Sequence, residues 1–309
     1  MVSSSTLSKS LAGVHNFLPT PFLENYDLDF YGARENVAYH AKSCPDYMIV
    51  TVCGGFGEGL SLNVEEHKDL IVAAVDGANG VLPVTAVALG EYGLQKRMVR
   101  NAEEAGASSV RVRFPPSQVT SFEVAYSYIR ELAESVQIEM VIFATGEHSF
   151  WPDVFARLAG ISNIVGFSPP GDADFSNHVG VKIQHMLPGR YVWINENEDS
   201  AMKSFKNGCQ GYTTAVASLI PKSSRQFWKY GMSGDTKNMI HTYETLIKPI
   251  RDIREIGPGC EIGSIKFALE VLGRSGGPTR PPASPVSSFD KDKIINILKQ
   301  HPEISDMLV

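Results

Sequence analysis

Two arginines, Arg111 and Arg113, alternate within a short run of valines that is typical of a β-strand. Side chains two residues apart in a strand share one face, and buried guanidinium groups are unfavourable unless they are paired or solvated. Arg113, beside Pro115 and Pro116, can extend from the strand end and bind a carboxylate or phosphate. The alternative for Arg113 is an outward-facing pair with a helix glutamate, and for Arg111 we expect this outward arrangement.

Candidate acid–base and metal-binding groups follow other apolar runs. Glu147 and His148 follow one of them, where the imidazole can act as a general base; the alternative is a solvated loop histidine. Residues 195–199 form an acidic, amide-rich segment that includes Glu196. With His148 and Glu58 it has ligand types for a divalent cation, but the spacing matches no metal motif and such runs are typical of helix N-termini. We therefore predict no metal and no cofactor, and we interpret Glu58 as structural.

Hydroxyl side chains complete the set of candidate site residues. Ser168, followed by two prolines, can hydrogen-bond a ligand, but the sequence shows no base or oxyanion arrangement typical of a serine hydrolase. Thr213 lies in a hydroxyl-rich run, residues 212–214, in which core packing is the alternative role for at least one side chain. We predict catalytic roles for His148 and Ser168 and a ligand-binding role for Thr213.

These residues follow short β-rich apolar runs, most of which precede a stretch with helical periodicity. The runs are residues 14–18, 47–52, 82–87, 109–114, 140–144, 164–167, 191–194 and 211–216. Eight such units predict an α/β fold, a (β/α)8 TIM barrel, over residues 1–220. In that fold the active site lies at the C-terminal ends of the strands, so the residues that follow each strand are expected to converge.

Helical signals are clear between and after these runs. Asn63 is expected to cap a helix, with Glu66 completing a capping box. After the eighth strand, residues 222–230, 236–254, 261–272 and 290–300 read as helices with no intervening strand. They predict a C-terminal helical extension, residues 221–309, packed on the barrel.

The composition excludes several classes of partner. The 309 residues include 43% hydrophobic and 20% charged residues, which is enough for a sizeable core. A formal charge of −6 leaves no basic field for nucleic acid or an anionic membrane. Four cysteines without a CxxC pair indicate neither zinc nor a disulfide framework, and no stretch has the length of a signal peptide or a membrane span. We expect a cytoplasmic protein with a small-molecule ligand.

Several segments, in order and at matching spacing, resemble the dihydrodipicolinate synthase / N-acetylneuraminate lyase family over nearly the whole chain. They are residues 18–22, 54–58, 60–62, 65–66, Pro115, 163–166, 171–172, Gly208, Gly211, 265–266, 272–273 and 280–282. The likeness is greatest toward the branch with sugar-acid dehydratases. It implies the same barrel and an assembly as a homodimer or homotetramer.

The resemblance also implies where catalytic residues belong. Members of the family form a Schiff base between a lysine at the end of the sixth strand and a 2-oxo acid. That lysine falls at Ser168, and a hydroxyl cannot form an imine. Lys182 and Lys203 lie nearest to strand ends but in helical stretches, so we do not expect either to substitute.

Other family positions depart as well. The acid–base tyrosine of the family aligns with Phe143, which has no hydroxyl to relay a proton. The loop threonines that bind the substrate carboxylate align with Gly55 and Phe56, and a carboxylate-gripping arginine falls near His148. The resemblance therefore implies a site from which imine chemistry has been lost and whose pocket is more apolar than the family's.

Three hypotheses remain open. The leading one is a divergent lyase-like barrel that binds a small carboxylate, either a 2-oxo acid or a sugar-acid-like metabolite, without a covalent imine. The residues expected to bind it are Arg113, Gly55, Phe56, Phe143, Glu196 and Thr213. The second is a catalytically inactive member that acts as a ligand sensor or structural partner. The third is a Schiff-base aldolase or dehydratase with a displaced lysine.

Overall fold

Eight parallel strands close into a barrel in the order β1 to β8. The computed structural model describes residues 11–115, 120–169 and 173–305, so Pro116 and residues 171–172 of the family match lie outside it. The strands are β1 Val14–Phe17, β2 Met48–Val52, β3 Val84–Ala88, β4 Ser109–Arg113, β5 Glu139–Phe143, β6 Ile164–Ser168, β7 Val192–Asn195 and β8 Gly211–Thr214. The predicted (β/α)8 barrel is confirmed.

A helix follows each strand and packs outside it. These helices are α1 Phe30–Ser43, α2 Val64–Ala78, α3 Tyr92–Glu104, α4 Phe122–Glu134, α5 Trp151–Leu158, α6 Ala173–Met186, α7 Glu198–Lys206 and α8 Pro221–Ser233. The predicted capping box is present: the Asn63 side chain accepts from the Glu66 N–H at 2.8 Å, and the Glu66 carboxylate accepts from the Asn63 N–H at 3.0 Å. Two donors at the start of α2 are thereby satisfied.

Side chains alternate between the two faces of each strand, and the two faces pack against different parts of the protein. One face of each strand joins the main apolar core under the helices, which includes Val110 and Val112 of β4. The other face points into the barrel, where a smaller apolar cluster consists of Leu11, Val141, Val192 and Ile194. Because side chains alternate with a period of two, Arg111 lies on the opposite face from its valine neighbours and points into the barrel.

The C-terminal helices differ most from expectation over residues 236–254, and a short helix after residue 300 was not predicted. The single helix predicted over residues 236–254 is divided into α9 Thr236–Thr242, a π-type segment Tyr243–Ile247, α10 Lys248–Arg251 and a 3-10 turn Asp252–Glu255. Pro249 has no N–H to continue the α-type bonding, and a local change of helical pitch accommodates such a residue. Then α11 Glu261–Val271, α12 Ser288–Gln300 and α13 Pro302–Ser305 follow.

The C-terminal helices reach the strand ends. On α11, the Lys266 ammonium lies 2.7 Å from the Glu58 carboxylate, which follows β2. Arg280 pairs with Glu66 of α2 at 2.5 Å. The boundary predicted between residues 220 and 221 stays a prediction. None of the helices in residues 11–115, 120–169 and 173–305 combines the length and the hydrophobicity that a membrane span requires.

Candidate functional site

A cavity of about 210 Å³ opens at the C-terminal ends of the strands. Its lining residues are Phe17, Gly55, Phe56, Val87, Leu89, Arg111, Arg113, Phe143, Glu196 and Thr213. All six residues predicted to bind a ligand are among them, because strands that run in parallel end at the same mouth. The structure brings these side chains together, and their roles stay predictions.

The loop after β2 closes one side of this cavity. Gly54 lies against the Phe17 ring, where a Cβ atom would be 2.4 Å from a ring carbon, so the close approach requires glycine. The Thr20 hydroxyl donates to the Gly57 carbonyl at 2.5 Å and holds the loop on the chain that follows β1. Phe56 is thereby presented at the mouth of the cavity.

Arg111 forms the floor of the cavity, and the outward position expected for it is wrong. Its side chain is only 4% exposed and pairs with Glu196. It also donates to Ser168 Oγ at 2.7 Å and to Thr213 Oγ1 at 3.0 Å. The guanidinium carbon lies 5.5 Å from the Phe143 ring centre. Its partner is thus a strand-end carboxylate inside the barrel, not a helix glutamate.

Desolvation shapes the electrostatics of this pair. Burial raises the pKa of Glu196, and the positive charge of Arg111 opposes that shift. Burial lowers the pKa of Arg111, and Glu196 opposes it. Burial, reinforced by Arg111, lowers the pKa of His15 in β1 to about 3, so this imidazole is neutral at pH 7.

Arg113 differs from Arg111 in having free donors. The side chain is at the cavity edge, with its guanidinium carbon 5.4 Å from the Phe143 ring centre. Within residues 11–115, 120–169 and 173–305, its guanidinium makes no ion pair or side-chain hydrogen bond. With Arg111 and Glu196 ionised, Arg113 leaves the cavity with one excess positive charge. The site is therefore suited to one carboxylate.

The two predicted catalytic residues lie apart from the open space. His148 stacks on Phe150 with ring centres 4.9 Å apart and does not line the cavity. Ser168, the last residue of β6, is fully buried, accepts from Arg111 and donates to Glu196. Ser168 therefore positions the Arg111–Glu196 pair and does not face the ligand space.

The acidic segment after β7 begins a helix, as its alternative interpretation proposed. Asn197 caps α7 by accepting from the Ser200 N–H at 2.9 Å. Glu198 accepts from Thr214 at 2.6 Å and pairs with Arg254 at 3.3 Å. Among the residues that the structure describes, no group of three or more His, Cys, Asp or Glu side chains is arranged to hold a metal ion.

Glu58 is held away from the cavity. Both Glu58 and Lys266 are 1% exposed at the side chain. Glu58 accepts from the Arg280 N–H at 2.7 Å, and Lys266 donates to the Pro278 carbonyl at 2.5 Å. This anchoring agrees with the structural role expected for Glu58.

Sequence reasoning missed four lining residues, namely Phe17, Val87, Leu89 and Arg111. The first three are apolar residues at strand ends and give no chemical signal. Arg111 did give one: it shares a strand face with Arg113, so an inward Arg113 requires an inward Arg111.

Comparisons with known proteins agree with this architecture. The model of the dihydrodipicolinate synthetase family matches residues 10–301. A probable 5-dehydro-4-deoxyglucarate dehydratase from Bacillus licheniformis is 26% identical over 299 residues, 96% of each chain. A relative of the same name from Streptomyces avermitilis is 28% identical over 260 residues, 83% of this chain and 82% of the relative.

Solved structures share the fold. Dihydrodipicolinate synthase from Oceanobacillus iheyensis superimposes with a TM-score of 0.84 at 23% identity, covering 96% of this chain and 98% of that one. N-acetylneuraminate lyase from Mycoplasma synoviae gives 0.83 at 18% identity, covering 95% and 98%. The match over nearly all of the sequence and the closed eight-stranded barrel lead to one conclusion: the chain belongs to the dihydrodipicolinate synthetase family.

Proposed function

We propose that this barrel binds one small carboxylate at its strand ends and does not hold it as an imine. The single observation that carries the proposal is the charge arrangement of the cavity. Arg111 is neutralised by Glu196, whereas Arg113 lies at the edge without a counterion among the described residues. An arginine fork matches the geometry of a carboxylate. The relatives are named as dehydratases of a sugar acid, which is itself a carboxylate.

The absence of an imine is supported by the position of amines. No lysine of the described chain lines the cavity. Lys203 pairs with Asp174, and Lys266 is engaged by Glu58 and a backbone carbonyl. At the end of β6 the side chain is Ser168, which lacks an amine. The lack of a lysine among the described lining residues supports this proposal over the displaced-lysine hypothesis.

Binding is tested with Arg113→Met against a matched control. Calorimetry with a series of small monocarboxylates is expected to detect binding to the wild-type protein. Because one charge-assisted hydrogen bond contributes about 1.5–3 kcal/mol, Arg113→Met should weaken binding about ten- to hundredfold. Arg97→Met removes an exposed arginine, 64% exposed at the side chain, and should leave affinity unchanged. Equal affinities of the two variants would contradict the proposal.

The imine is tested directly by reduction. The protein is incubated with pyruvate and borohydride, and its intact mass is measured. We expect no added mass, because no lysine among the described residues lines the cavity. A stable adduct, mapped to a lysine by peptide analysis, would restore the displaced-lysine hypothesis and overturn this part of the proposal.

Whether the bound carboxylate is consumed distinguishes a lyase-like enzyme from a ligand sensor. The sensor hypothesis is supported by the floor of the cavity, where Arg111, Ser168, Glu196 and Thr213 bond to one another. A bound carboxylate that stabilises the protein against heat without being consumed favours the sensor. Consumption that is lost in both Arg113→Ala and His148→Ala favours acid–base chemistry.

We also propose a cytoplasmic homo-oligomer, either a dimer or a tetramer. All four cysteines are free thiols, which supports a reducing compartment. Exposed apolar side chains such as Tyr31 and Leu60 support self-association. Light scattering after gel filtration tests the assembly, and a monomeric mass would contradict it.

A further inference from the structure

The wall of the cavity is apolar on most sides. Phe17, Val87 and Leu89 form a cluster of their own, with Phe56 packed against it and separate from the main core. Phe143 is the fifth apolar side chain of the wall. Three of these five side chains are aromatic, and flat rings favour stacked or edge contacts with another ring.

The polar atoms of the cavity are mostly already bonded to one another. Arg111 donates to Thr213, Ser168 and Glu196. Glu196 also accepts from Ser168. In the described lining, Arg113 keeps all of its side-chain donors, whereas Arg111 uses several of its own and the Thr213 hydroxyl accepts from Arg111. Guanidinium groups cannot accept hydrogen bonds. A hydroxyl group in the body of a ligand would lose its water and find few partners here.

We infer that the ligand is a carboxylate carried on a small aromatic body, and that Phe56 sets this preference over polyhydroxylated acids. The inference rests on the proposed carboxylate site and adds the chemical class of the rest of the ligand. A cavity of about 210 Å³ is smaller than the roughly 300–1,000 Å³ of drug-sized pockets, so it suits a single ring with a short acidic chain.

Phe56 separates this cavity from a polar one. A second cavity, of about 260 Å³, shares Phe56, Glu196 and Thr213 with the first. Its other lining residues are charged or polar and come from the end of β8, from the start of α7 with its N-cap, and from the C-terminal helices. The Arg254 guanidinium, paired with Glu198, lies 5.1 Å from the Phe56 ring centre. Removal of this ring would join the apolar cavity to groups that can bond hydroxyls.

The test is a calorimetric series on the full-length wild-type protein. The probes are 3-phenylpropanoate, phenylpyruvate, pyruvate, glucarate and 3-phenylpropanol. The two aryl carboxylates should bind at least about tenfold more tightly than pyruvate or glucarate, since even one methylene in an apolar pocket changes binding about 10–200-fold. The alcohol, which lacks the carboxylate, should bind weakly.

Variants at the wall assign the preference to one residue. Phe56→Ser should weaken the binding of 3-phenylpropanoate about tenfold and strengthen that of glucarate, whereas Phe56→Leu should keep the wild-type order. Phe289→Ser, at a position 74% exposed on α12, is the matched control and should change neither. Thermal melting verifies that each variant is folded.

The possible outcomes test the aromatic preference separately from the proposed binding of a carboxylate. If no carboxylate of the series binds, the proposed function itself fails. If pyruvate or glucarate binds as tightly as the aryl acids, the carboxylate site stands and the aromatic preference is wrong. An unchanged order of affinities in a folded Phe56→Ser variant would remove Phe56 as its determinant.

Discussion

Replacing Glu58 by glutamine would leave a buried ammonium without its counterion. Glu58 and Lys266 are each 1% exposed, with 2.7 Å between the carboxylate and the ammonium. The ammonium would keep its hydrogen bond to the Pro278 carbonyl at 2.5 Å and its contact with the Phe22 ring, whose centre is 4.5 Å away, and neither carries a counter-charge. Because the pair joins the loop after β2 to α11, its loss would weaken the contact that positions Phe56 at the cavity.

Two estimates bracket the stability that Glu58→Gln should lose. Removing one partner of a buried ion pair typically lowers stability by about 3–5 kcal/mol. Lys266 can instead lose its proton, which from the ordinary lysine pKa of 10.5 takes about 4 kcal/mol at pH 7.5, at about 1.4 kcal/mol per pH unit. We therefore expect Glu58→Gln to lower the free energy of unfolding by about 3–4 kcal/mol.

Urea denaturation at pH 7.5 and pH 9 measures this loss and its pH dependence. In the variant, Lys266 is neutral when folded and protonated when unfolded, so the unfolded chain binds the extra proton. Stability of the variant therefore rises with pH, and its deficit should shrink by up to about 1.4 kcal/mol per unit below pH 10.5. The direction agrees with burial lowering the pKa of Lys266 in the wild-type protein.

A matched control uses an exposed pair. Lys68 and Glu104 lie 2.6 Å apart with side chains 42% and 59% exposed, and water and salt screen such an exposed pair so that it adds little to stability. Glu104→Gln should therefore have little effect. A Glu58→Gln variant that is no less stable than Glu104→Gln, or whose deficit is the same at both pH values, would show that Lys266 does not depend on Glu58 for its stability in the folded protein.

Three further predictions concern stability. Asn63→Ala should lower the free energy of unfolding by about 1 kcal/mol through loss of the capping box, measured by urea denaturation. Glu196→Gln should lower it by about 3 kcal/mol, since Arg111 cannot neutralise itself by losing a proton; a loss below 1 kcal/mol would contradict this. Burial lowers the pKa of His15 and His40 to about 3. Both charge only on unfolding below about pH 6.5, so stability should fall by up to about 1.4 kcal/mol per histidine per pH unit between pH 6.5 and 3, and a His15→Gln/His40→Gln variant should fall less.

The strands were predictable because buried parallel strands read as short apolar runs between turn residues. Each observed strand begins and ends within two residues of its predicted run. The helix over residues 236–254 was less predictable, since periodicity alone does not show how a chain adjusts around Pro249. Local signals such as the capping box at Asn63 were reliable because donor and acceptor lie three residues apart.

Part of the site was predictable and part was not. Strand ends converge in any closed parallel barrel, which is why Arg113, Phe56 and Glu196 were found together. The buried pair of Glu58 and Lys266 joins positions 208 residues apart in the sequence, and nothing local indicates such a contact. The position of His148 after a strand predicts a place in the site, but the chain after β5 turns its ring onto Phe150.

The bonded residues Arg111, Ser168 and Glu196 determine whether a single substitution can introduce an imine-forming lysine. Ser168 is fully buried, and its oxygen lies 2.7 Å from a guanidinium nitrogen of Arg111. A lysine at this position would add three heavy atoms to a filled space and place a second cation against the first. Removing the arginine relieves both problems, because the lysine can then occupy its space and pair with Glu196.

Ser168→Lys alone should therefore be poorly stable and form no adduct with pyruvate and borohydride. The double variant Arg111→Met/Ser168→Lys should be more stable than Ser168→Lys and should gain the mass of a reduced adduct. Arg111→Met alone has no new amine and serves as the control. Urea denaturation and intact-mass measurement report the two properties separately. An adduct in Ser168→Lys at the level of the double variant would mean that Arg111 does not occupy the space that an imine needs.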